Sequence, residues 1–449
     1  MTQVTTENRS AAEVEAGRGQ TLPDFATVDF FMEPSLVDNP LPYYEYLRSK
    51  GPVVRLPHHN SVAVVGFDEC ISVFRDTHTF SSCNASTGPI PPLPFTPEGD
   101  DVSRQIEAFG PEIPYFGQLV NLDPPLHSPS RSLLMQLFTP SRLKANLEFM
   151  LTASDRQIDE FADSGRCEVM SQYGGPFSTL VIADLLGVPE EDRQELRTML
   201  SEEVREKLNA IPGQIGVDSK PPIAFDFLRD KFAAYVEDRR ANPRNDVLSE
   251  LAKAKFPDGS LPDAMEIVRL TTFLFAAGKG TTALFLGSCL RILAERPDLQ
   301  AELRRNVSLI PDFIEEALRL EGPTKSEGRL ARVSTSLGGV DIPAGTTIVL
   351  LLPAANRDPR RFESPNELRL GRPRNMEHLA FGRGAHTCAG SPLARAETRV
   401  SLERLLDRFQ DIRISEEHHG PPGARRFEYN PTYVLRGLKR LHLELTPAG

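Results

Sequence analysis

From Leu270 to Leu290 the chain is apolar or small around every face of a helical period, interrupted by Lys279 and a few hydroxyls. A helix with no polar stripe belongs in a protein interior. The pattern therefore predicts a long central helix over Leu261–Arg296, opened by Ser260 and Asp263 as a capping pair. The segment PLPYYEYLRSK, ending at Lys50, reads as a short helix, and VVRLPHHNSVAVVGF as a β-hairpin with VAVV its clearest strand. In DPPLHSPSRSLLMQLFTP, Ser128 is placed to cap a helix whose first residue is Pro129, where a missing N–H costs nothing. PDFIEEALRLEGP predicts a further helix, GRLARVSTSLGGVDIPAGTTIVLLLPAANRDPRRF strands and turns, and YNPTYVLRGLKRLHLEL a final β-hairpin. Residues 82–120 form a long Pro-rich stretch, the kind of loop that is usually functional or disordered. The fold class expected is mainly α with minor β sheets.

Length adds little, since 449 residues suggests about three domains only as a soft prior. No internal repeat or low-complexity linker divides the chain, and prolines gather in loops such as TGPIPPLPFTPEGD and IPGQIGVDSKPP. One unit over residues 28–449 is expected behind a disordered arm, 1–27, too poor in bulky apolar residues to pack. A net charge of −11 repels phosphate and argues against nucleic acid or anionic membrane as partners. Cysteines at 70, 83, 167, 289 and 388 are odd in number and scattered, so they form no disulfide framework and point to a reducing cytoplasm. No run reaches the roughly 18 uninterrupted apolar residues of a membrane span. The first twenty residues lack the apolar core of a signal peptide. A soluble, cytoplasmic monomer is the expectation.

Candidate chemistry concentrates in FGRGAHTCAG, Phe381–Gly390. Gly382, Gly384 and Gly390 permit tight turns and close approach to a flat partner. Arg383 and His386 put polar groups within a few residues of Cys388. A lone intracellular cysteine is ordinarily a buried structural one. Here Phe381, Gly382, Gly384, His386, Cys388 and Gly390 match all six specified positions of the haem-binding loop of the cytochromes P-450, and His378 upstream resembles the bacterial members. The resemblance covers about residues 28–446. It implies a triangular, helix-rich fold with the long helix over haem b. It also implies Cys388 as thiolate ligand to iron and metal-binding residue, pushing electron density toward O–O cleavage.

Other matches follow from that family. His127 and Arg131 resemble its His-x-x-x-Arg element, and Arg329 falls where it places a propionate-binding arginine, a role His386 shares. Ala277-Gly278-Lys279-Gly280-Thr281-Thr282 resembles its oxygen-site motif, with Ala277 beside haem and Thr281 donating to bound oxygen or positioning a water. Gly278 and Gly280 should loosen the helix and leave room for O₂, at about 1 kcal/mol each. Gly280 stands where the family carries an acid that relays protons; a water chain, Thr282 or Lys279 could replace it. Glu316 and Arg319, with Arg372 as third partner, resemble a structural pair that ties their helix to the segment before the cysteine loop.

The implied reaction is monooxygenation: one atom of O₂ enters a small or medium hydrophobic substrate (terpenoid, aromatic or fatty), and the other leaves as water. Residues 82–118, 198–228, Ala276, Ala277 and Thr324–Gly328 are the expected pocket walls. Electrons are expected from a separate ferredoxin or flavodoxin with its reductase, docking on Arg383, Arg395 and Arg399. The substituted acid at Gly280 keeps open a peroxide-driven or non-hydroxylating haem-thiolate enzyme, and, further off, a non-catalytic haem sensor.

Overall fold

The computed structural model describes residues 23–197 and 223–448, so most of the N-terminal arm and the pocket segment 198–222 lie outside the described residues. Residues 23–27 already belong to the packed body. Thr27 N–H donates to the Asp24 carbonyl, and the Phe25 ring stands edge-on to Tyr43 at 5.5 Å. The principal helices are α1 (Leu41–Lys50), α2 (Phe67–Arg75), α3 (His127–Met135), α4 (Pro140–Ala162), α5 (Gly175–Leu186), α6 (Ile223–Ala241), α7 (Ala264–Glu295), α8 (Ile310–Glu321) and α9 (Ser391–Arg408).

The apolar segment is indeed the central helix. α7 runs 32 residues and packs against α5, α6 and α9, while α4 closes the bundle on α5 and α9. It starts later than the sequence suggested. The cap is Asp263, whose carboxylate accepts from Met265 N–H, because Ser260 is engaged in its own turn with Asp258 at 2.6 Å. Among the described residues α7 alone is long and apolar enough to cross a membrane, yet 61% of its most apolar stretch is buried inside the protein. Its apolarity is used for packing.

α3 also departs from expectation. It begins at His127, whose N–H donates to the Asp123 carbonyl at 3.0 Å, so Ser128 lies inside the first turn and caps nothing. A backbone acceptor one turn upstream does the work assigned to Ser128.

The strands are β1 (Val53–Arg55), β2 (Ser61–Val64), β3 (Phe80–Ser81), β4 (Arg166–Glu168), β5 (Glu327–Ala331), β6 (Thr335–Leu337), β7 (Val340–Ile342), β8 (Thr347–Leu350), β9 (Phe409–Ile414) and β10 (His442–Pro447). The expected hairpin forms with Val53 opposite Val64 and becomes the edge of a sheet ordered β1-β2-β8-β5-β3. This sheet brings Arg329, on β5, into the centre of the molecule. The tail is not a simple hairpin. Residues 429–438 make only isolated bridges, Tyr429 to Leu438 and Thr324 to Leu435, and β10 inserts between β4 and β9. Leu443 and Leu445 oppose Ile414 and Ile412, so one apolar face is continuous only in that register.

A buried ion cluster fastens α8 to the chain ahead of the cysteine loop. Arg319 grips Glu316 with Nε to Oε1 at 2.8 Å and Nη2 to Oε2 at 3.0 Å, and both side chains are wholly inaccessible. Arg372 Nε donates to the same Oε1 at 2.9 Å, as the sequence suggested. Arg319 also donates to the carbonyls of Asn356, Pro365 and Glu367. Every donor and acceptor is used, which is what makes a buried charge cluster tolerable. Removing one partner leaves buried charge uncompensated. Glu316→Ala should therefore lower unfolding free energy by about 3–5 kcal/mol, read as a shifted urea midpoint; an unmoved midpoint would show that the cluster is dispensable.

Candidate haem site

The loop Phe381–Gly390 is closed by Cys388 N–H donating to the Phe381 carbonyl at 2.9 Å. Gly382 and Gly384 hold φ of +62° and +73°. At Gly384 a Cβ would stand 2.2 Å from the Phe74 carbonyl at the end of α2, so both backbone conformation and packing demand glycine there. Gly390 is different. Its φ is −79°, and a Cβ would meet only Cys388 Sγ at 3.9 Å, so no turn requires it. It is the cap position of α9, which starts directly behind the sulfur.

Cys388 is exposed, whereas the other four cysteines are buried. Burial nonetheless pushes its thiol pKa up, opposed by a backbone hydrogen bond from Gly390 and by the Arg131 charge. A side chain both accessible and poorly solvated sits in a recess. Phe381 is half-buried, with the Arg395 guanidinium 4.6 Å above its ring and the His378 ring 6.0 Å away.

Around the recess, cations collect. The His127 and His386 rings lie 4.1 Å apart, and the Nε2 atom of each is buried without a hydrogen-bond partner. Arg131 donates to the Thr387 carbonyl inside the loop. Arg329 meets the Glu327 carboxylate at 3.3 Å and stacks over Phe74. Burial foremost, then Arg329, His127 and Arg131, drive the His386 pKa down to about 3. His127 is lowered by burial and by Arg131. Two arginines and two orphaned imidazole nitrogens, with only Glu327 and Asp123 as nearby carboxylates, form a donor set for an anion with more than one acid group. That is what a haem presents with its propionates, so these residues fit the cofactor. Asp123 escaped the sequence reading, though it fixes this wall by accepting from Ser81, Ser82 N–H and Arg332. No short motif marks such a residue.

On α7 the helix is continuous through the oxygen-site motif. The expected loosening leaves no break in it, and Thr281 Oγ1 donates to the Ala277 carbonyl at 2.7 Å. Ala277, Gly278, Lys279, Gly280 and Thr281 stay partly exposed between buried turns, whereas Thr282 is buried. A Cβ at Gly278 would press Ile182 at 3.2 Å, while one at Gly280 would meet nothing within 4 Å. Gly278 thus serves helix packing, and Gly280 leaves open space.

The proposed docking arginines do not act as a set. Arg395 is bound to buried Glu315 through Nε at 2.6 Å and Nη2 at 2.9 Å, with His378 Nε2 3.0 Å from the same carboxylate. Its charge is therefore neutralised internally. Arg383 donates to the Met376 carbonyl, and Arg399 is half-buried with Glu403 at 3.9 Å.

A mainly helical body, a recessed cysteine and a cationic wall together define a haem-thiolate protein. The cytochrome P450 family model matches residues 211–422. Cytochrome P-450 144 of Mycobacterium tuberculosis is 32% identical over 443 residues, 97% of this chain and 96% of the relative. The substrate-free structure of Mycobacterium marinum cytochrome P-450 CYP150A6 is 54% identical, with a TM-score of 0.89, covering 95% of this chain and all of that one (100%). Bacillus megaterium CYP109E1, solved with testosterone, is 28% identical with a TM-score of 0.74 over 90% of this chain and 99% of that one. The chain belongs to the cytochrome P-450 family, whose cofactor is haem b ligated by a cysteine thiolate.

The cationic wall has a measurable signature. His386 stays neutral in the fold but takes a proton when unfolded below about 6.5, so its contribution to stability is lost as pH falls from there toward 3. The apoprotein should lose more melting temperature between pH 7.5 and 5 than its His386→Gln variant, and haem should narrow the gap by supplying anions. Equal losses in both apoproteins would show that His386 is not the titrating group.

Proposed function

We propose that this protein is a monooxygenase in which Cys388 is the iron ligand and His127, Arg131, Arg329 and His386 hold the two propionates. The carrying observation is the pair of orphaned imidazole nitrogens beside two arginines, next to the one exposed cysteine. When bound, haem supplies oxygen activation and insertion of one oxygen atom into a C–H bond. The protein's own part is positional. The Gly390 backbone hydrogen bond and the start of α9 favour the Cys388 thiolate against desolvation. Thr281 holds its hydroxyl on the Ala277 carbonyl, from which it can turn toward a ligand in the recess. Ala277, Gly278 and Gly280 leave the room.

The substrate is a small or medium hydrophobic molecule, terpenoid, aromatic or fatty, and the testosterone bound by CYP109E1 adds steroids to the classes to test. Electrons come one at a time from a separate ferredoxin or flavodoxin and its reductase. The protein works as a soluble, cytoplasmic monomer. Because Arg395 is paired internally, docking rests on Arg383, Arg399 and their neighbours, not on Arg395.

Titrating the ferric protein with these four classes should give a low-to-high-spin shift for one of them. Cys388→Ser should abolish the thiolate-type spectrum of the reduced carbon monoxide complex; its survival would remove Cys388 from the ligand position. With ferredoxin as donor, Thr281→Ala should lower product formed per electron, and an unchanged yield would refute its assignment. The Gly280 substitution favours a second reading, a peroxide-driven enzyme. Turnover with peroxide but none with reduced ferredoxin would select it.

A further inference from the structure

Lysine is among the residues least often buried, because an ammonium without a counterion loses its water and gains little in return. Lys325 breaks that rule. Its side chain is 1% exposed, and its Nζ donates to the Leu36 carbonyl at 2.7 Å and stands 5.3 Å over the Phe30 ring. Among the described residues no carboxylate is hydrogen-bonded to it. Both partners lie on the strap formed by residues 24–38. Beside Lys325, Arg436 donates to the next two carbonyls, Val37 at 2.5 Å and Asp38 at 3.0 Å. Two basic side chains thus hold the end of the short helix Ser35–Asp38. The other end of the strap is tied to the turn between β1 and β2. There His58 Nε2 lies 2.9 Å from the Thr27 carbonyl, and His59 Nε2 lies 2.7 Å from the Asp29 carboxylate.

Lys325 and Arg436 stand on segments that frame the pocket. Lys325 belongs to the expected wall 324–328, where its N–H and that of Ser326 donate to the Val434 carbonyl at 2.8 and 3.2 Å. Arg436 N–H returns a bond to the Pro323 carbonyl at 2.7 Å. The tail turn that carries Arg436 also reaches α7, since a Cβ at Gly437 would stand 2.4 Å from Leu284, three residues past Thr281. Under the strap the turn meets the 82–118 wall. Phe31 stands edge-on to Tyr433 at 4.9 Å, and Tyr433 Oη donates to the Thr87 carbonyl at 2.6 Å. Gly328 N–H closes the junction on the Ala85 carbonyl at 3.2 Å. Two expected pocket walls and the tail turn therefore converge beneath Phe31 and Leu36. An apolar side chain would fill the place of Lys325 at lower cost if packing were the only demand.

We propose that Lys325 is a proton-operated latch: uncharged, it seats the strap over this junction, and on taking up a proton it lets the strap lift and opens a way into the haem pocket. The proposal rests on the haem-pocket reading above. Burial first, and then Arg436, bring the Lys325 pKa down to about 7, against Asp38, which raises it. Released into water, the amine returns to its ordinary value of 10.5. Release therefore takes up a proton between these two values. Acid favours release down to about 7, below which both states are charged and the dependence ends. The other titratable groups packed here do not mimic this. Tyr43, Tyr44 and Tyr433 are kept un-ionised by burial. A proton on His59 would strengthen its bond to the Asp29 carboxylate and tighten the strap, the opposite direction.

The test reads hydrogen exchange of the strap amides in haem-loaded protein, corrected for the intrinsic effect of pH. Protection over residues 27–38 should fall about tenfold per pH unit from roughly pH 9 to 7 and level off below. Lys325→Met, which fills the site with no proton to gain, should stay protected across the range. Asp38→Asn, at the surface, should carry the decline below pH 7, because Asp38 favours the seated charge. A second readout is the dissociation of 4-phenylpyridine, an iron-binding probe that is uncharged over this range. Its rate should rise about tenfold per unit as pH falls, in the wild type and not in Lys325→Met. Protection that stays flat or rises toward pH 7 overturns the latch, as does a wild-type pH dependence in Lys325→Met. Should that variant fail to fold, Asp38→Asn decides, and an unmoved level-off overturns the proposal. A dissociation rate indifferent to pH beside pH-dependent exchange removes the opening into the pocket. If 4-phenylpyridine leaves the wild-type haem spectrum unchanged, the haem-pocket reading fails, and exchange alone decides the latch.

Discussion

The Glu316–Arg319–Arg372 cluster is the constraint on which the rest of the site hangs. A glutamate and an arginine buried to zero accessibility are stable only while every polar atom is engaged. Engaging them fixes α8, the carbonyl of Asn356 and the carbonyls of Pro365 and Glu367 in one arrangement. Asn356 carries the order onward, because its side-chain oxygen accepts from Leu379 N–H at 2.7 Å, two residues before the cysteine loop. A second carboxylate on α8, Glu315, holds His378 and Arg395 on the two sides of that loop. Two adjacent glutamates therefore set the position of Cys388 without touching it.

The opposite wall is built on charge in excess of its partners. His127 and Arg131 enter on α3, Arg329 on β5 and His386 on the loop; burial first, and then the neighbouring cations, depress both histidines. Such a cluster stores an unfavourable interaction that a dianionic ligand relieves, so cofactor binding and stability are linked. Asp123 and Glu327 are the carboxylates beside these cations, and each already serves an arginine.

The sequence carried the chemistry to residue level wherever a residue's task is local. FGRGAHTCAG singled out Cys388 because glycine conformations and loop closure are properties of ten adjacent residues. The apolar run 270–290 announced α7 because hydrophobic periodicity is itself local. Glu316 and Arg319 were legible because three residues along a helix is one face. Ser128 misled, since a side-chain cap and a backbone acceptor one turn earlier serve equally well and only the folded chain chooses between them.

What tertiary structure decided is the pairing of residues far apart in the chain. Arg395 looked like a surface cation for a partner, but it lies against Glu315, 80 residues away in sequence, and is spent there. Asp123 carried no motif and became notable only when the fold set it against Ser81, Ser82 and Arg332. The sequence by itself determined the family and the cofactor, because the ten-residue cysteine motif that carries them is contiguous. Which charges are neutralised and which imidazole nitrogens are left without partners were settled by packing, because burial and electrostatic partnership are properties of the assembled chain.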